Sequence, residues 1–299
     1  MKKFLKKILF FAAPLVVPFV ICFFYFGMNS KRKIDNYKFP VTVNKLVIGD
    51  SHTRLAINDS LLPNTVNMSQ NSEGMIYTYY KLKAFIKANP QIDTVFFGVG
   101  YHSFAGYYDD HILLPDISSR YFFVLPLKDQ LHLFKNTKSP GLLVLKSMLL
   151  GLNNAISSGT KLSFVGAYEN YTTKAAISDS SIAQRIQSAY YNKKERSGFS
   201  QSNTQYYQEI VKLCKEHNIH VYVINAPTHS KYAKQVPGEF RNKYYTTINN
   251  SGVELIEFSG LQLEDKDFLP DGDHVTKNGA AQASNYLREQ LSKSKNAIK

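Results

Sequence analysis

Short apolar runs alternate with amphipathic segments along most of the chain. The runs are rich in β-branched and aromatic residues and end at glycine, proline or polar clusters, which is typical of buried strands. Five strands are predicted, at 45–49, within 62–69, and at 94–99, 221–225 and 253–258. Helical periodicity occupies 73–89, 200–217, 238–249 and 277–292. The alternation predicts an α/β fold, a doubly wound parallel sheet of about five strands.

The N-terminal segment departs from this alternation. Residues 8–30 carry no charge and are long enough to cross a bilayer as a helix, and no cleavage site of a signal peptide follows them. The pattern predicts an N-terminus over 1–7, a transmembrane anchor over 8–30, a linker over 31–43 and a folded domain over 44–299. A slight excess of positive charge before the anchor favours a cytoplasmic N-terminus and an exported C-terminal domain.

Residues 104–199 form a second exception, because strands and helices no longer alternate there. The segment is too long for an ordinary connection, so it predicts a mostly helical insertion that serves as a lid or as an extra helical layer. Its apolar run Leu142–Leu152 is too short to span a membrane. Packing against the sheet is favoured for this run over contact with a membrane surface.

The net charge of the chain and its distribution indicate which classes of binding partner suit the protein. The net charge is +13, but seven of the 36 lysines and arginines lie in residues 1–34, which contain no acid. The remaining chain is mildly basic without a dense cluster, which suits an anionic envelope polymer or headgroup surface and does not require nucleic acid. The two cysteines, Cys22 and Cys214, do not indicate a disulfide framework.

Candidate chemistry follows the first strand, which ends at Gly49 and leads directly to Ser51. In an open α/β sheet this places Ser51 at the rim of a cleft, where it is a candidate nucleophile if a histidine reaches its hydroxyl. A role in capping the following helix is the structural alternative. Near the other end of the chain, Asp271 precedes His274 by three residues, close enough in a turn to hold the imidazole Nδ1–H.

The GDS stretch after the first strand, with D-x-x-H shortly before the last helix, resembles the SGNH/GDSL hydrolase family. The resemblance covers the chain from about Asn44 to the C-terminus, apart from the insertion. It implies a flavodoxin-like three-layer sandwich and a catalytic triad of Ser51, His274 and Asp271, with no metal or cofactor. Asp273 is the less favoured partner of His274, because the family's aspartate stands three residues before its histidine.

The oxyanion hole departs from the family's pattern. The family uses a glycine N–H after the second strand and an asparagine after the third. Here the second block, residues 67–72, has no glycine, but a backbone N–H within 69–72 can still serve as donor, and Asn71 is the residue selected. The third block offers Gly100, with His102 in the place of the asparagine, and a neutral histidine can donate one hydrogen bond. Asn71, Gly100 and His102 are therefore the predicted oxyanion or substrate-binding residues.

Two further parts of the chain are predicted to lie near the cleft, on the basis of their location in the sequence. His52, next to the candidate nucleophile, is interpreted as a structural or rim residue that points away from His274. The stretch 225–230 follows the fourth strand, and either lines the acceptor side of the cleft or forms a plain turn.

Three hypotheses on function follow. The first is a membrane-tethered serine esterase or O-acyltransferase that acts on acyl esters, acetyl esters foremost, of a cell-envelope glycan or lipid. The second is a non-catalytic binding or assembly protein on the same fold that partners a membrane acyltransferase. The third is a structural envelope protein in which Ser51 and His274 never meet.

Overall fold

A computed structural model describes residues 2–156, 162, 164–193 and 195–297, without the side chains of 2–13, 15 and 294–297. The chain forms two compact units. The first, here the helical unit, consists of Met1–Tyr37 and Leu113–Phe164. The second, here the α/β unit, consists of Lys38–Ile112 and Val165–Lys299. The helical unit thus takes up only the middle of the predicted insertion 104–199.

The strands all lie in the α/β unit. In chain order they are β1 (Lys45–Ile48), β2 (Thr65–Asn67), β3 (Thr94–Gly98), β4 (Tyr191–Asn192), β5 (Glu195–Arg196), β6 (His220–Asn225) and β7 (Glu254–Glu257). Five of them form one parallel sheet in the order β2-β1-β3-β6-β7, while β4 and β5 pair as a short antiparallel ribbon. This confirms the predicted α/β fold with a parallel sheet of five strands.

The helices are distributed over both units. In chain order they are α1 (Lys2–Asp35), α2 (Ser51–Ala56), α3 (Met75–Ala88), α4 (Tyr107–His111), α5 (Pro115–Tyr121), α6 (Leu127–Asn136), α7 (Pro140–Ile156), α8 (Asp179–Tyr190), α9 (Gln201–Glu216), α10 (Ser230–Gln235), α11 (Gly238–Ser251) and α12 (Lys277–Ala297). Helices α1, α5, α6 and α7 belong to the helical unit. Short 3-10 turns lie at Asp59–Leu61, Tyr101–Phe104 and Asp265–Asp267.

Helices cover both faces of the sheet. Phe96 and Phe97 are neighbours on β3, so their side chains point to opposite faces. Phe96 is buried in one cluster with Leu287 of α12. Phe97 stacks on Tyr207 of α9, with ring centroids 5.9 Å apart. The α/β unit is therefore a sandwich of three layers.

Close helix contacts hold the helical unit together. Helix α7 packs against both α1 and α5. A Cβ atom on Gly151 of α7 would lie 2.7 Å from Phe26 Cβ, so only glycine allows α1 to approach this closely. On α1, the ring of Phe23 contacts that of Phe123 with centroids 5.0 Å apart.

The N-terminal segment differs from the prediction. Helix α1 continues through Asp35, so the first five residues of the predicted linker 31–43 are helical. None of the helices in the described part of the chain combines the length and the apolar character needed to cross a membrane. The structure therefore does not support the predicted transmembrane helix over 8–30, of which residues 8–13 and 15 lie outside the described side chains.

Candidate functional site

The turn between β1 and α2 places Ser51. Gly49 has φ +146°, and a Cβ atom there would lie 2.3 Å from Thr53 Oγ1 and 3.1 Å from Gly98 Cα. This position needs glycine because both the backbone angle and the space exclude a side chain. Asp50 caps α2 by accepting a hydrogen bond from His52 N at 3.0 Å. Ser51 is the first residue of the helix, at the point between β1 and β3 where the order of the sheet reverses.

Ser51, His274 and Asp271 form one continuous set of contacts. Ser51 Oγ lies 2.9 Å from His274 Nε2, and His274 Nδ1 lies 2.8 Å from Asp271 Oδ2. Burial opposes ionisation of Asp271, but its hydrogen bond and charge contact with His274 outweigh burial and lower the pKa of the carboxyl. The structure brings the three predicted residues together, and the hypothesis that Ser51 and His274 never meet is wrong.

A tight turn fixes the acid and the base relative to each other. Asp271 Oδ1 accepts hydrogen bonds from the backbone N–H groups of Asp273 at 3.0 Å and His274 at 3.2 Å. Gly272 has φ +63°, a left-handed conformation that glycine adopts without strain. Leu269 N donates to His274 O at 2.8 Å and closes the turn from the other side. Because Asp271 serves the turn and the imidazole at once, the D-x-x-H spacing is sufficient to orient His274.

His52 lies beside this triad, and the interpretation that it points away from His274 is wrong. Its ring stacks on that of His274, with centroids 4.5 Å apart, and on the ring of His102 at 3.9 Å. Its Nδ1 lies 3.2 Å from Asp50 Oδ1 and its Nε2 lies 2.9 Å from Asp273 Oδ1. Only 6% of the His52 side chain is exposed. A buried imidazole between two carboxylates is therefore in contact with the candidate base.

Charge pairing accounts for this burial. Burial opposes the charged form of His52, but Asp273 and Asp50 outweigh it and raise its pKa to about 10. Burial likewise opposes ionisation of Asp273, and the charges of His52 and Arg185 hold the pKa of that carboxyl well below its usual range. Arg185 Nε donates to Asp273 Oδ2 at 2.6 Å. Around neutral pH the cluster is thus a set of alternating charges: Asp50, His52, Asp273 and Arg185.

Two predicted oxyanion residues have other partners. His102 Nε2 lies 2.6 Å from Asp50 Oδ2, to which Tyr108 Oη also donates at 2.8 Å. Burial and the charge of His52 lower the pKa of His102, so a neutral ring donates its proton to Asp50. Gly100 N donates to Ser103 Oγ at 3.0 Å. Both residues follow β3 at the same edge of the sheet as Ser51, but their roles toward an oxyanion stay predictions.

The third predicted residue, Asn71, lies in the loop between β2 and α3. Asn71 N donates to Gln70 Oε1 at 3.1 Å, and Asn71 Nδ2 to Glu169 Oε2 at 3.4 Å. The loop is held from beneath by Lys81, whose Nζ donates to Met68 O and to Glu73 Oε2, each at 2.6 Å. Lys81 and Glu73 are both fully buried. Sequence reasoning missed this pair because Lys81 follows an ordinary amphipathic pattern in α3.

Several members of the buried cluster were also missed. Arg185 and Tyr108 come from the predicted insertion, where no local motif connects them with the first strand. Only the folded structure brings these two residues to the cluster, and neither the GDS nor the D-x-x-H motif predicts them.

Two groups of three side chains within the described residues are close enough to hold a metal ion: Asp50 with His52 and His102, and His52 with Asp273 and His274. In each group, imidazole and carboxylate atoms already contact each other at 2.6 to 3.2 Å. The charges balance within the cluster, which we therefore assign as an ion-pair network.

The loop after β6 borders an open groove of about 380 Å³, lined also by Tyr101, Phe258 and Phe268. His229, one of its lining residues, donates its N–H to Gly272 O at 2.8 Å. The groove therefore adjoins the turn that carries Asp271 and His274. Residues 225–230, which the sequence predicts either to line the acceptor side of the cleft or to form a plain turn, lie along this groove.

Comparisons with known proteins add little to this picture. No family model matches the chain, and no curated protein matches it. A solved structure described as "a putative platelet activating factor from Streptococcus pneumonia" is similar at 13% identity and a TM-score of 0.40, covering 93% of this chain and 99% of that one. A likeness at this level supports no argument on fold or function, so both are argued from the residues.

Proposed function

We propose that the chain is a serine ester hydrolase or O-acyltransferase of the SGNH type. The supporting observation is the unbroken series Ser51 Oγ, His274 and Asp271, with contacts of 2.9 and 2.8 Å. A serine hydroxyl is a weak nucleophile on its own, and an adjacent imidazole oriented by a carboxylate activates it. Helix capping does not require Ser51 Oγ to meet an imidazole, since Asp50 provides the cap of α2.

The reaction would proceed in two acyl transfers. His274 Nε2 takes the proton of Ser51 Oγ as the oxygen attacks the ester carbonyl, and then gives it to the leaving alcohol, so that an acyl-serine forms. Water or a second hydroxyl then enters, loses its proton to His274 and attacks the acyl carbonyl. As the bond from the acyl carbon to Ser51 Oγ breaks, His274 returns that proton to Ser51 Oγ. Asp271 stabilises the imidazolium in both steps. Ser51 N–H, at the start of α2, is the first oxyanion donor, because the leading N–H groups of a helix have no intrahelical partner.

The substrate class that fits is an acyl ester, acetyl esters foremost, of a cell-envelope glycan or lipid. The groove beside the Asp271–His274 turn offers aromatic surfaces in Tyr101, Phe258 and Phe268 together with polar groups, which suits a sugar or another polyhydroxylated acceptor. We propose a membrane location for the protein, with α1 in contact with the lipid. Recovery of the protein in the membrane fraction of lysed cells tests this location, and recovery in the soluble fraction would contradict it.

A fluorophosphonate probe and p-nitrophenyl acetate test the chemistry on the full-length chain. We expect labelling and turnover in the wild type and in Ser292→Ala, an exposed serine on α12, and neither in Ser51→Ala. Circular dichroism of all three proteins establishes that they are folded. Equal background signals from folded wild type and Ser51→Ala would exclude an independently active esterase.

The second candidate is a non-catalytic binding protein that partners a membrane acyltransferase. It is favoured by one observation, that Gly100 N–H and His102 Nε2 already have partners within the protein. Under this hypothesis the probe does not label Ser51. Instead, a glycan or lipid ester should bind equally well to the wild type and Ser51→Ala in calorimetry, which the hydrolase proposal does not predict for a substrate that is turned over.

A further inference from the structure

Exposed apolar side chains concentrate in the helical unit. Among the side chains that the structure describes, seventeen large hydrophobic residues of this unit are exposed, against three in the larger α/β unit. Those of α6 and α7 are Leu127, Leu131, Phe134, Leu142, Leu145, Leu149, Leu152 and Ile156. Those of α1 are Val16, Val17, Phe19, Val20, Ile21, Phe24, Tyr25 and Met28. Soluble proteins rarely expose an apolar surface of this extent unless it binds something.

The pattern along α7 is the reverse of that in a soluble amphipathic helix. Its buried positions are Leu143, Ser147, Gly151 and Asn154, at spacings of four, four and three residues. Its exposed leucines recur with the same helical period on another face. Water would favour polar residues outside and leucine inside. Small and polar residues at a helix contact, with apolar residues outward, are typical of helices that face lipid.

Helix α1 repeats this arrangement where it contacts α7. Asn29 and Ser30 are buried, whereas Met28 is 73% exposed. Ser30 Oγ accepts a hydrogen bond from Asn154 Nδ2 at 3.5 Å. Ser30 and Asn154 thus pair within the contact of the two helices, whereas the outward faces carry hydrophobic residues.

The charge of the protein has the same distribution. The helical unit has 13 lysines and arginines and three acids, a net charge of +10, while the α/β unit has 23 and 20, a net charge of +3. Lys128, Lys135 and Lys138 are exposed on or beside α6, next to its apolar stripe. Leucines flanked by cations match the boundary between acyl chains and anionic headgroups.

We propose that α6 and α7, together with the described part of α1, form a docking face for an anionic lipid bilayer. Helix α7 has 17 residues and is therefore about 25 Å long, shorter than a hydrocarbon core of about 30 Å, so this face lies against the bilayer rather than across it. The proposal is independent of the serine chemistry, and it extends the lipid contact proposed for α1 to the insertion helices α6 and α7.

The chain contains no tryptophan, which allows a clean test on the full-length protein. Leu149→Trp and Leu131→Trp each place one reporter on the face, and Val41→Trp places one in the α/β unit at a position 88% exposed. With vesicles of phosphatidylglycerol and phosphatidylcholine, we expect a blue shift and quenching by brominated acyl chains for the first two reporters and neither for Val41→Trp. Helix α1 is unchanged in all three proteins, so a difference between the reporters shows which surface contacts the lipid and not how tightly the protein binds.

The charge is tested by replacing Lys135 and Lys138 with glutamine in the Leu149→Trp protein. Each replacement should weaken vesicle binding about fivefold, and added salt should act in the same direction. Unquenched Leu149→Trp on every vesicle would overturn the proposal, as would equal quenching on pure phosphatidylcholine. A blue shift that depends on protein concentration without vesicles would instead assign the face to a second copy of the chain.

Discussion

The two units of this protein distribute polarity in opposite ways. The α/β unit buries charges: Asp50, His52 and Asp273 lie beneath the candidate nucleophile, and Lys81 with Glu73 lies beneath a neighbouring loop. Helix α7 of the helical unit instead exposes four leucines and buries Ser147 and Asn154. Residue type alone thus does not decide burial in this chain.

Each arrangement is stable only in suitable surroundings. A buried charge costs several kcal/mol unless its partner and hydrogen bonds offset the desolvation, and every buried charge named above has such a partner. An exposed leucine forgoes about 1.5–3 kcal/mol that burial would provide. The α/β unit satisfies its charges internally, whereas the helical unit exposes a large apolar surface. This is the difference expected if the helical unit faces lipid, as proposed above, and the α/β unit faces water.

The buried pair Lys81–Glu73 offers the largest effect on stability. Lys81→Met should lower the free energy of unfolding by about 3–5 kcal/mol, because it leaves the Glu73 carboxylate buried without its cation. Urea denaturation followed by circular dichroism measures this change. The double variant Glu73→Gln/Lys81→Met should recover most of the loss.

A surface pair provides the matched control. Arg196 and Glu239 are 2.6 Å apart, with side chains 58% and 35% exposed. Arg196→Ala should leave the free energy of unfolding close to that of the wild type, since water screens such a pair. Similar losses for Lys81→Met and Arg196→Ala would show that the buried pair carries no special weight.

Two leucines on α7 test whether its outward apolar residues are exposed in solution. Leu143 is fully buried and Leu145 is 52% exposed. In aqueous buffer, Leu143→Ala should destabilise the protein by about 2–5 kcal/mol, and Leu145→Ala should stay within about 0.5 kcal/mol of wild type. Thermal unfolding without lipid compares them. Equal destabilisation would mean that Leu145 is covered by protein in solution, and the contrast between the units would not hold.

Much of the sheet could be predicted from the sequence because its signals are local. Each strand is a short β-branched run with a clear end, and the observed bounds of β1, β3 and β6 differ from the predicted ones by only one or two residues. The helical unit could not be predicted in the same way. Periodicity identifies an amphipathic helix but does not say which face is buried, and in α7 the apolar face is the exposed one.

The candidate site likewise contains residues that local motifs predict and residues that they do not. Ser51, Asp271 and His274 could be predicted because two short motifs place them at strand and helix ends. His52 was assigned to the wrong side, since neighbours on the first turn of a helix can point in several directions. Its contacts with Asp273 and, through that residue, Arg185 depend on segments more than a hundred residues away.

The charge on His52 gives the most specific prediction, because it concerns a single buried imidazole. Because its pKa is raised from 6.5 to about 10, the folded protein holds a proton that the unfolded chain has lost between these values. The contribution of this proton to the free energy of unfolding should therefore be fully present below pH 6.5. It should be lost as the pH rises toward 10, by up to about 1.4 kcal/mol per pH unit. Urea denaturation at intervals between pH 6.5 and 9.5 measures the slope.

Two histidine variants provide the controls. His52→Gln should flatten the dependence of stability on pH. His220→Gln, which removes an exposed imidazole 2.9 Å from Glu254, should retain that dependence. Parallel profiles for wild type and His52→Gln would mean that His52 is neutral between its two carboxylates.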